Sequence, residues 1–183
     1  MDAVKIVAVF GDSRVQEGSP AYEEARRLGQ LLARSGFTVV NGGYQGTMEA
    51  VSRGVKEGGG RAIGVTAALF DPLPANPWLD QEIKAQHLFD RLERLISLAE
   101  GFVVLRGSMG TLAELALVWN MARIKPTPPR PIILVGQGWR RVMGTFLEEL
   151  AVTQPEVNLL TIVQTPEEAV AVLCEQLGES PNA

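Results

Sequence analysis

Apolar residues fall along this chain in short unbroken runs. These alternate with stretches in which apolar positions recur every three or four residues. Ile6 to Phe10 is a continuous apolar run that stops at Gly11, which predicts a strand covered on both faces. Ser19-Pro20 then supplies an N-cap and a proline at the first helical position, and Leu28, Leu31 and Leu32 carry a helix to a stop at Ser35-Gly36. The alternation continues with a strand over Phe37–Val40, a helix over Thr47–Glu57 ended by Gly58-Gly59-Gly60, and a strand over Ala62–Val65. Beyond residue 82 the pattern predicts a short strand at Ile83–Leu88 and a helix at Phe89–Ala99, with Phe89, Leu92, Leu95, Ile96 and Ala99 on one face. A strand at Phe102–Leu105, a helix at Thr111–Arg123, a proline-rich connector at Lys125–Pro131 and a strand at Ile132–Val135 follow. The chain closes with a helix at Trp139–Leu150, a strand at Leu159–Val163 and a helix capped by Thr165-Pro166 that runs to Leu177.

Strands that alternate with helices throughout predict a parallel sheet with helices on both faces. The expected architecture is α/β: one doubly wound, Rossmann-like domain of three α/β/α layers over residues 1–178, with a frayed tail at 179–183. Ligands of such sheets bind outside the carboxyl ends of the strands. Gly11-Asp12-Ser13, the 42–47 loop and the 107–111 loop all fall at that edge and are expected to meet in one crevice. The longest irregular stretch, residues 66–82 with Pro72, Pro74 and Pro77, is a candidate lid or rim. Trp78 within it reads equally as a packing anchor or a substrate platform.

The 183 residues are 46% apolar and 21% charged, with a formal net charge of −4, which fits an ordinary globular core. An acidic chain without a basic cluster argues against nucleic acid as a partner. No stretch reaches the roughly 18 apolar residues of a membrane span. The start, Met1-Asp2-Ala3-Val4-Lys5, lacks the layout of a signal peptide, so a cytoplasmic location is expected. The single cysteine, Cys174, sits on an apolar stripe with Val170, Leu173 and Leu177, where a small packed side chain is the plain reading. One cysteine excludes an internal disulfide and a multi-cysteine zinc site. The single histidine, His87, lies at a strand end and reads as packed or solvent-facing.

One short pattern occurs twice. Val39-Val40-Asn41-Gly42-Gly43-Tyr44-Gln45-Gly46-Thr47-Met48 recurs, one residue shorter, as Val103-Val104-Leu105-Arg106-Gly107-Ser108-Met109-Gly110-Thr111-Leu112. A strand feeding a glycine loop into a helix start presents unpaired N–H groups at the positive end of a helix dipole, a ready anion site. Two such loops suggest a pocket for a phosphorylated small molecule. Neither is followed by Gly-Lys-Ser/Thr, so ATPase-type phosphoryl transfer is disfavoured, and neither has Gly-x-Gly-x-x-Gly spacing. Glu114 closes a Thr111-x-x-Glu114 spacing that equally describes a capping box, but it lies one turn inside a helix aimed at the expected phosphate. Thr165-Pro166-Glu167-Glu168 has the same spacing without a glycine loop and reads as a cap alone. Arg91 sits at the margin of the Leu88/Leu92/Leu95 stripe, with Arg94 further toward solvent. It reads either as a snorkelling structural residue or as a charge held at the crevice.

From about Val7 to Leu150 the chain resembles the Lonely Guy proteins, the cytokinin riboside 5′-monophosphate phosphoribohydrolases once labelled possible lysine decarboxylases. Their Pro-Gly-Gly-x-Gly-Thr-x-x-Glu motif is met by Arg106 to Glu114, with Gly107, Gly110, Thr111 and Glu114 intact. An arginine fifteen residues before the motif is Arg91. Their first glycine loop, Gly-Gly-x-x-Gly-x-Met, is met by Gly42, Gly43, Gly46 and Met48, and Gly11-Asp12-Ser13 resembles their Gly-Ser-Ser. The resemblance implies that Glu114 and Arg91 are the catalytic pair. It also implies that phosphate and nucleotide are held by Gly107, Ser108, Met109, Gly110 and Thr111, by Gly42, Gly43, Gly46, Thr47 and Met48, and by Gly11, Asp12 and Ser13. Arg106, in place of the motif proline, either adds a phosphate contact or obstructs the pocket. Ser108, in place of a glycine, implies a different loop backbone because serine takes φ > 0 at a cost. The family's His-x-Arg-Lys stretch reads Phe89-Asp90-Arg91-Leu92 and keeps only the arginine.

The resemblance thus implies hydrolysis of the N-glycosidic bond of a nucleoside 5′-monophosphate, without metal or cofactor, by a homodimer. The alternative is a carrier that binds a nucleotide or molybdenum cofactor in the same crevice without turnover. A pyridoxal-phosphate lysine decarboxylase is disfavoured, since none of Lys5, Lys56, Lys84 and Lys125 falls in a glycine loop. The helix with Leu115, Leu117, Val118, Trp119 and Met121 is apolar on more than one face, which suggests burial or a dimer interface.

Overall fold

The computed structural model describes residues 4–124 and 130–178. Seven parallel strands form one sheet: β1 (Ile6–Phe10), β2 (Thr38–Asn41), β3 (Ala62–Ala67), β4 (Gln81–Ala85), β5 (Gly101–Val104), β6 (Ile132–Val135) and β7 (Leu160–Val163). The helices are α1 (Pro20–Arg34), α2 (Thr47–Glu57), α3 (Leu88–Leu98), α4 (Met109–Ile124), α5 (Gly138–Glu149), α6 (Gln154–Val157) and α7 (Pro166–Leu177). The strand order is β4-β3-β2-β1-β5-β6-β7, so the chain winds outward one way from β1 and then, from β5, the other way. The reversal lies between β1 and β5, which pair from Val7↔Gly101 to Phe10↔Val104. Connections on the two sides leave a crevice there, beyond the carboxyl ends of both strands.

Alternation along each strand divides the core. Val7, Val9, Val39, Val103 and Ile133 point to one face and pack with Leu28, Leu32, Val51, Val55 and Leu173 of α1, α2 and α7. Ala8, Phe10, Val40, Phe102 and Leu134 point to the other and meet Leu95, Leu115, Val118 and Met143 of α3, α4 and α5. Both faces are dry, which is why the strands read as unbroken apolar runs. On the first face α1 and α2 approach closely enough that a Cβ on Gly54 would lie 1.9 Å from the Arg26 carbonyl oxygen.

Most expected elements are present within a residue or two. Four differ in ways that matter. The expected strand at 83–88 is β4 at 81–85, a sheet edge with Gln81, Glu82 and Lys84 exposed, which hides it from a reading based on apolar runs. His87, exposed, is the N-cap of α3: its Nδ1 accepts from the Asp90 N–H at 3.1 Å. Phe89, expected on the buried face of that helix, is 77% exposed. The short α6 was not anticipated, and α4 begins at Met109, two residues before the expected start. The connector residues 125–129 and the tail 179–183 lie outside the described residues.

Candidate active site

The crevice at the switch point holds a cavity of about 230 Å³. Of the residues singled out in the sequence, Gly11, Ser13, Gly42, Met48, Arg91, Ser108, Gly110, Thr111 and Glu114 line it. They arrive from the ends of β1, β2 and β5 and from α2, α3 and α4, as convergence at one sheet edge requires. Tyr44, Phe70 and Leu73 also line it and were missed. The last two come from the segment between β3 and β4, whose lack of periodicity left no signal beyond its length. That segment is a rim: Tyr44 exchanges hydrogen bonds with both backbone groups of Ala67, and buried Asn76 donates to Gly43 and Tyr44 carbonyls. Trp78 is a packing anchor, with the Arg53 guanidinium 5.3 Å from its ring, and does not reach the crevice.

Arg91 and Glu114 meet at the crevice. Arg91 is 8% exposed. Its Nε donates to the Val65 carbonyl at 2.8 Å and its Nη2 to the Gly42 carbonyl at 3.2 Å. Its guanidinium lies 5.9 Å from the rings of both Tyr44 and Phe70. Nη1 stands 3.7 Å from Glu114 Oε1, an ion pair without a tight hydrogen bond. Gly42 is part of this seat for steric reasons, because a Cβ there would fall 1.9 Å from Arg91 Nη2. Burial pushes the Glu114 carboxyl up to about 7, and the nearby Arg91 charge opposes but does not cancel that rise. Burial also lowers the Arg91 guanidinium from its ordinary value, with Glu114 opposing. A carboxyl that changes charge near neutrality, facing a fixed cation in a cleft, is equipped for proton transfer or for stabilising developing positive charge.

The two glycine loops differ in what they offer. In the first, the Thr47 N–H donates to the Asp12 carbonyl, Gly46 takes φ 71° against the Asp12–Ser13 backbone, and buried Thr47 packs on Gly11. Asn41, fully buried, organises the turn by accepting from the Gly43 N–H and donating to Ser52 and the Met48 carbonyl. This loop is chiefly a clasp between β1 and β2, which revises the expectation of two equivalent anion sites. Gly43, Gly46 and Thr47 build the clasp without lining the cavity. In the second loop, the N–H groups of Ser108, Met109, Gly110 and Thr111 find no backbone acceptor among the described residues. The Thr111 hydroxyl is buried and likewise unpartnered. Since Thr111 is the third residue of α4, Thr111-x-x-Glu114 is not a capping box here, and Glu114 is free to face the crevice. Among the described residues no non-glycine residue has positive φ, so Ser108 sits in this loop without the backbone cost expected of it.

Four of the expected residues point elsewhere. The Asp12 carboxylate is held by Arg14 at 2.9 Å, which keeps it below the usual carboxylate range. Met109 is 77% exposed. Arg106 neither enters nor obstructs the crevice: with Gly107 it lines an adjoining cavity. Among the described residues no lysine lines the crevice; Lys56 and Lys84 pair with Asp80 and Asp71, and Lys125 lies outside the described residues. Among the described residues, no cluster of three potential metal ligands occurs and no helix is long and apolar enough to cross a membrane.

Comparison with known proteins gives a family and a fold. The model of the SLOG cluster4 family matches residues 4–170. A Mycobacterium marinum protein named cytokinin riboside 5′-monophosphate phosphoribohydrolase is 27% identical over 81% of this chain and 82% of its own. An Arabidopsis thaliana protein of the same name is 33% identical over 71% of this chain and 61% of its own. Among solved structures, the molybdenum cofactor binding protein of Rippkaea orientalis superposes with a TM-score of 0.76 at 22% identity, covering 96% of this chain and 98% of that one, a likeness of fold.

Proposed function

As the chain belongs to the SLOG cluster4 family, we propose that it hydrolyses the N-glycosidic bond of a nucleoside 5′-monophosphate, AMP or a cytokinin riboside monophosphate, to free base and ribose 5-phosphate. The observation that carries this reading is the Arg91–Glu114 pair, 3.7 Å apart and largely buried, beside a helix start whose N–H groups are unclaimed. The names of the relatives support it.

The 5′-phosphate sits at the start of α4, on the N–H groups of residues 108–111 with the Ser108, Ser13 and Thr111 hydroxyls at hand. The ribose then lies over Glu114, one turn further along the helix. The base extends toward Tyr44, Met48, Phe70 and Leu73, the apolar side of the cavity. As the C1′–N bond breaks, positive charge develops on the ribose, and the Glu114 carboxylate stabilises it. The same carboxylate takes a proton from the water that forms the new C1′–O bond. The departing nitrogen leaves with the bond's electron pair and takes a proton from solvent, the proton held by Glu114 returning to solvent to close the cycle, and Arg91 orients the base while this occurs. Glu114 performs this role ionised, and the Arg91 charge keeps an ionised fraction available at neutral pH.

Incubation of the purified protein with AMP, followed by chromatography, tests the proposal. Adenine and ribose 5-phosphate are expected from the parent and not from Glu114→Gln, which retains nucleotide binding by calorimetry. Tight AMP binding without release by the parent would instead establish a carrier. We also assign the exposed Leu117, Met121 and Ile124 of α4 to contact with a second copy of the chain. Leu117→Glu with Met121→Glu is then expected to yield a monomer in analytical ultracentrifugation.

A further inference from the structure

A second cavity, of about 580 Å³, opens on the other side of the 106–108 loop from the crevice. It is walled by Gly107, by Gly136 and Gly138 at the start of α5, and by Trp139, and its charged residues are Arg106, Arg141 and Glu24. The arginines of this chain are nearly all engaged. They pair with carboxylates, as Arg14, Arg26, Arg27, Arg53, Arg91, Arg94 and Arg123 do, or donate to side-chain or backbone oxygens, as Arg61, Arg130 and Arg140 do. Only Arg34, Arg106 and Arg141 make no side-chain hydrogen bond or ion pair among the described residues, and two of these three face this one cavity. In a chain of net charge −4, two guanidinium groups that make no ion pair and gather around bare glycine backbone are a place for an anion. Trp139 in the wall also carries an indole N–H that is buried and has no partner among the described residues. Two carboxylates oppose this charge: Glu24, exposed on α1 at the cavity's edge, and Asp12, which is held by Arg14 and also lies in the field of Arg106.

We propose that this cavity is a second anion subsite, in which Arg106 and Arg141 hold a phosphate group. The chemistry is that of a phosphate or diphosphate oxygen on paired guanidinium groups. The group belongs either to a nucleotide with more than one phosphate, lying across the loop from the crevice, or to a free phosphate ion. Arg106 thereby acquires a role in ligand selection rather than in the chemistry at Glu114. The inference rests on the charges around the cavity and stands whether or not the crevice hydrolyses nucleotides.

Calorimetric titration of the full chain with inorganic pyrophosphate, AMP and ADP tests it, in the parent, in Arg106→Ala/Arg141→Ala and in Arg34→Ala. The last removes an equally unpaired arginine lining a separate cavity at the opposite end of the sheet, with the same change in net charge. Pyrophosphate affinity is expected to fall roughly tenfold or more in the double variant, from loss of charge-assisted hydrogen bonds, and to stay near the parent value in Arg34→Ala. Glu24→Gln is expected to tighten pyrophosphate binding by removing one of the opposing charges. If ADP binds the parent more tightly than AMP, and the double variant erases that difference, the subsite serves a second phosphate of the nucleotide. If ADP and AMP bind alike while pyrophosphate still binds the AMP-saturated parent, it serves a free ion. Pyrophosphate affinity unchanged in the double variant, or reduced equally in Arg34→Ala, would overturn the proposal. All three arginines are exposed or half-exposed, and the melting temperature of each variant confirms that the fold is retained.

Discussion

Replacing Gly42 with alanine probes whether the buried arginine is the organising element of the site. The new Cβ would lie 1.9 Å from Arg91 Nη2 and 2.6 Å from Met48 Sδ. Both are the far ends of flexible side chains, so they yield and the fold survives. What yields is the seat of Arg91: the Gly42 carbonyl bond at 3.2 Å is broken and the guanidinium moves relative to Glu114. A hydrogen bond from a charged donor contributes about 1.5–3 kcal/mol. If the transition state uses that placement, kcat/KM for base release from AMP falls by roughly 10- to 150-fold. The carboxyl of Glu114, already at about 7, moves higher once its neighbouring cation recedes, which carboxyl ¹³C chemical shifts follow directly. Melting temperature, kcat/KM and the Glu114 titration together decide the matter. A folded Gly42→Ala protein with kcat/KM within twofold of the parent and an unmoved Glu114 titration would refute the assignment of Arg91 and its glycine seat to the site.

Three further outcomes follow from the same geometry. In the proposed reaction Glu114 acts ionised, so kcat/KM is expected to fall below pH about 7, above the roughly 6 at which a phosphate monoester takes its second proton. Activity that is flat down to pH 6 would count against this carboxylate. The linked effect on stability has the opposite sense: the folded carboxyl lies above its ordinary 4.5, so its contribution is fully present below about 4.5 and is lost as pH rises to about 7. Glu114→Gln is expected to flatten that slope in denaturant titrations. Thr111→Val removes a buried hydroxyl that has no partner. It is expected to leave stability unchanged or raise it by about 1 kcal/mol, while weakening AMP binding roughly two- to tenfold. Finally, Arg130 donates to the Ile96 and Ala99 carbonyls at the end of α3 and lies 5.0 Å from the Phe102 ring. Arg130→Ala is expected to lower stability by about 2 kcal/mol, or roughly 4–8 °C, with kcat per folded molecule intact.

The sheet and its helices were legible because a strand buried on both faces has no choice but to be an apolar run, and helices on such a sheet must carry an apolar stripe. Where that constraint lapses, legibility lapses with it. β4 lies at the edge and exposes Gln81, Glu82 and Lys84, and the rim that brings Phe70 and Leu73 to the crevice has no period to detect. The doubled glycine loop pointed to the crevice where Arg91 and Glu114 meet, but its two copies are less alike than the repeat suggests. Residue types alone do not tell that Asp12 fills the start of α2 while the start of α4 is left open.

The same limit governs Glu114. The spacing Thr-x-x-Glu occurs at Thr111, Thr145, Thr153 and Thr165, of which Thr145 lies in the middle of α5 with its hydroxyl donating to the Arg141 carbonyl. At Thr153 and Thr165 the threonine is an N-cap, and the glutamates of both pairs, Glu156 and Glu168, bond back to the backbone N–H of Thr153 and Gln164. At Thr111 the helix has already begun two residues earlier, so the threonine is inside it, the cap cannot form, and the glutamate turns to Arg91 instead. The register of the helix start, a shift of two residues, therefore separates a carboxylate that caps its helix from one that faces Arg91 across the crevice. Thr153 and Thr165 are each followed within two residues by a proline, at the first or second helical position, which pins the start just after the threonine. Thr111 is preceded by Gly107 and Gly110, which allow the helix to start earlier and leave its first N–H groups open to a ligand.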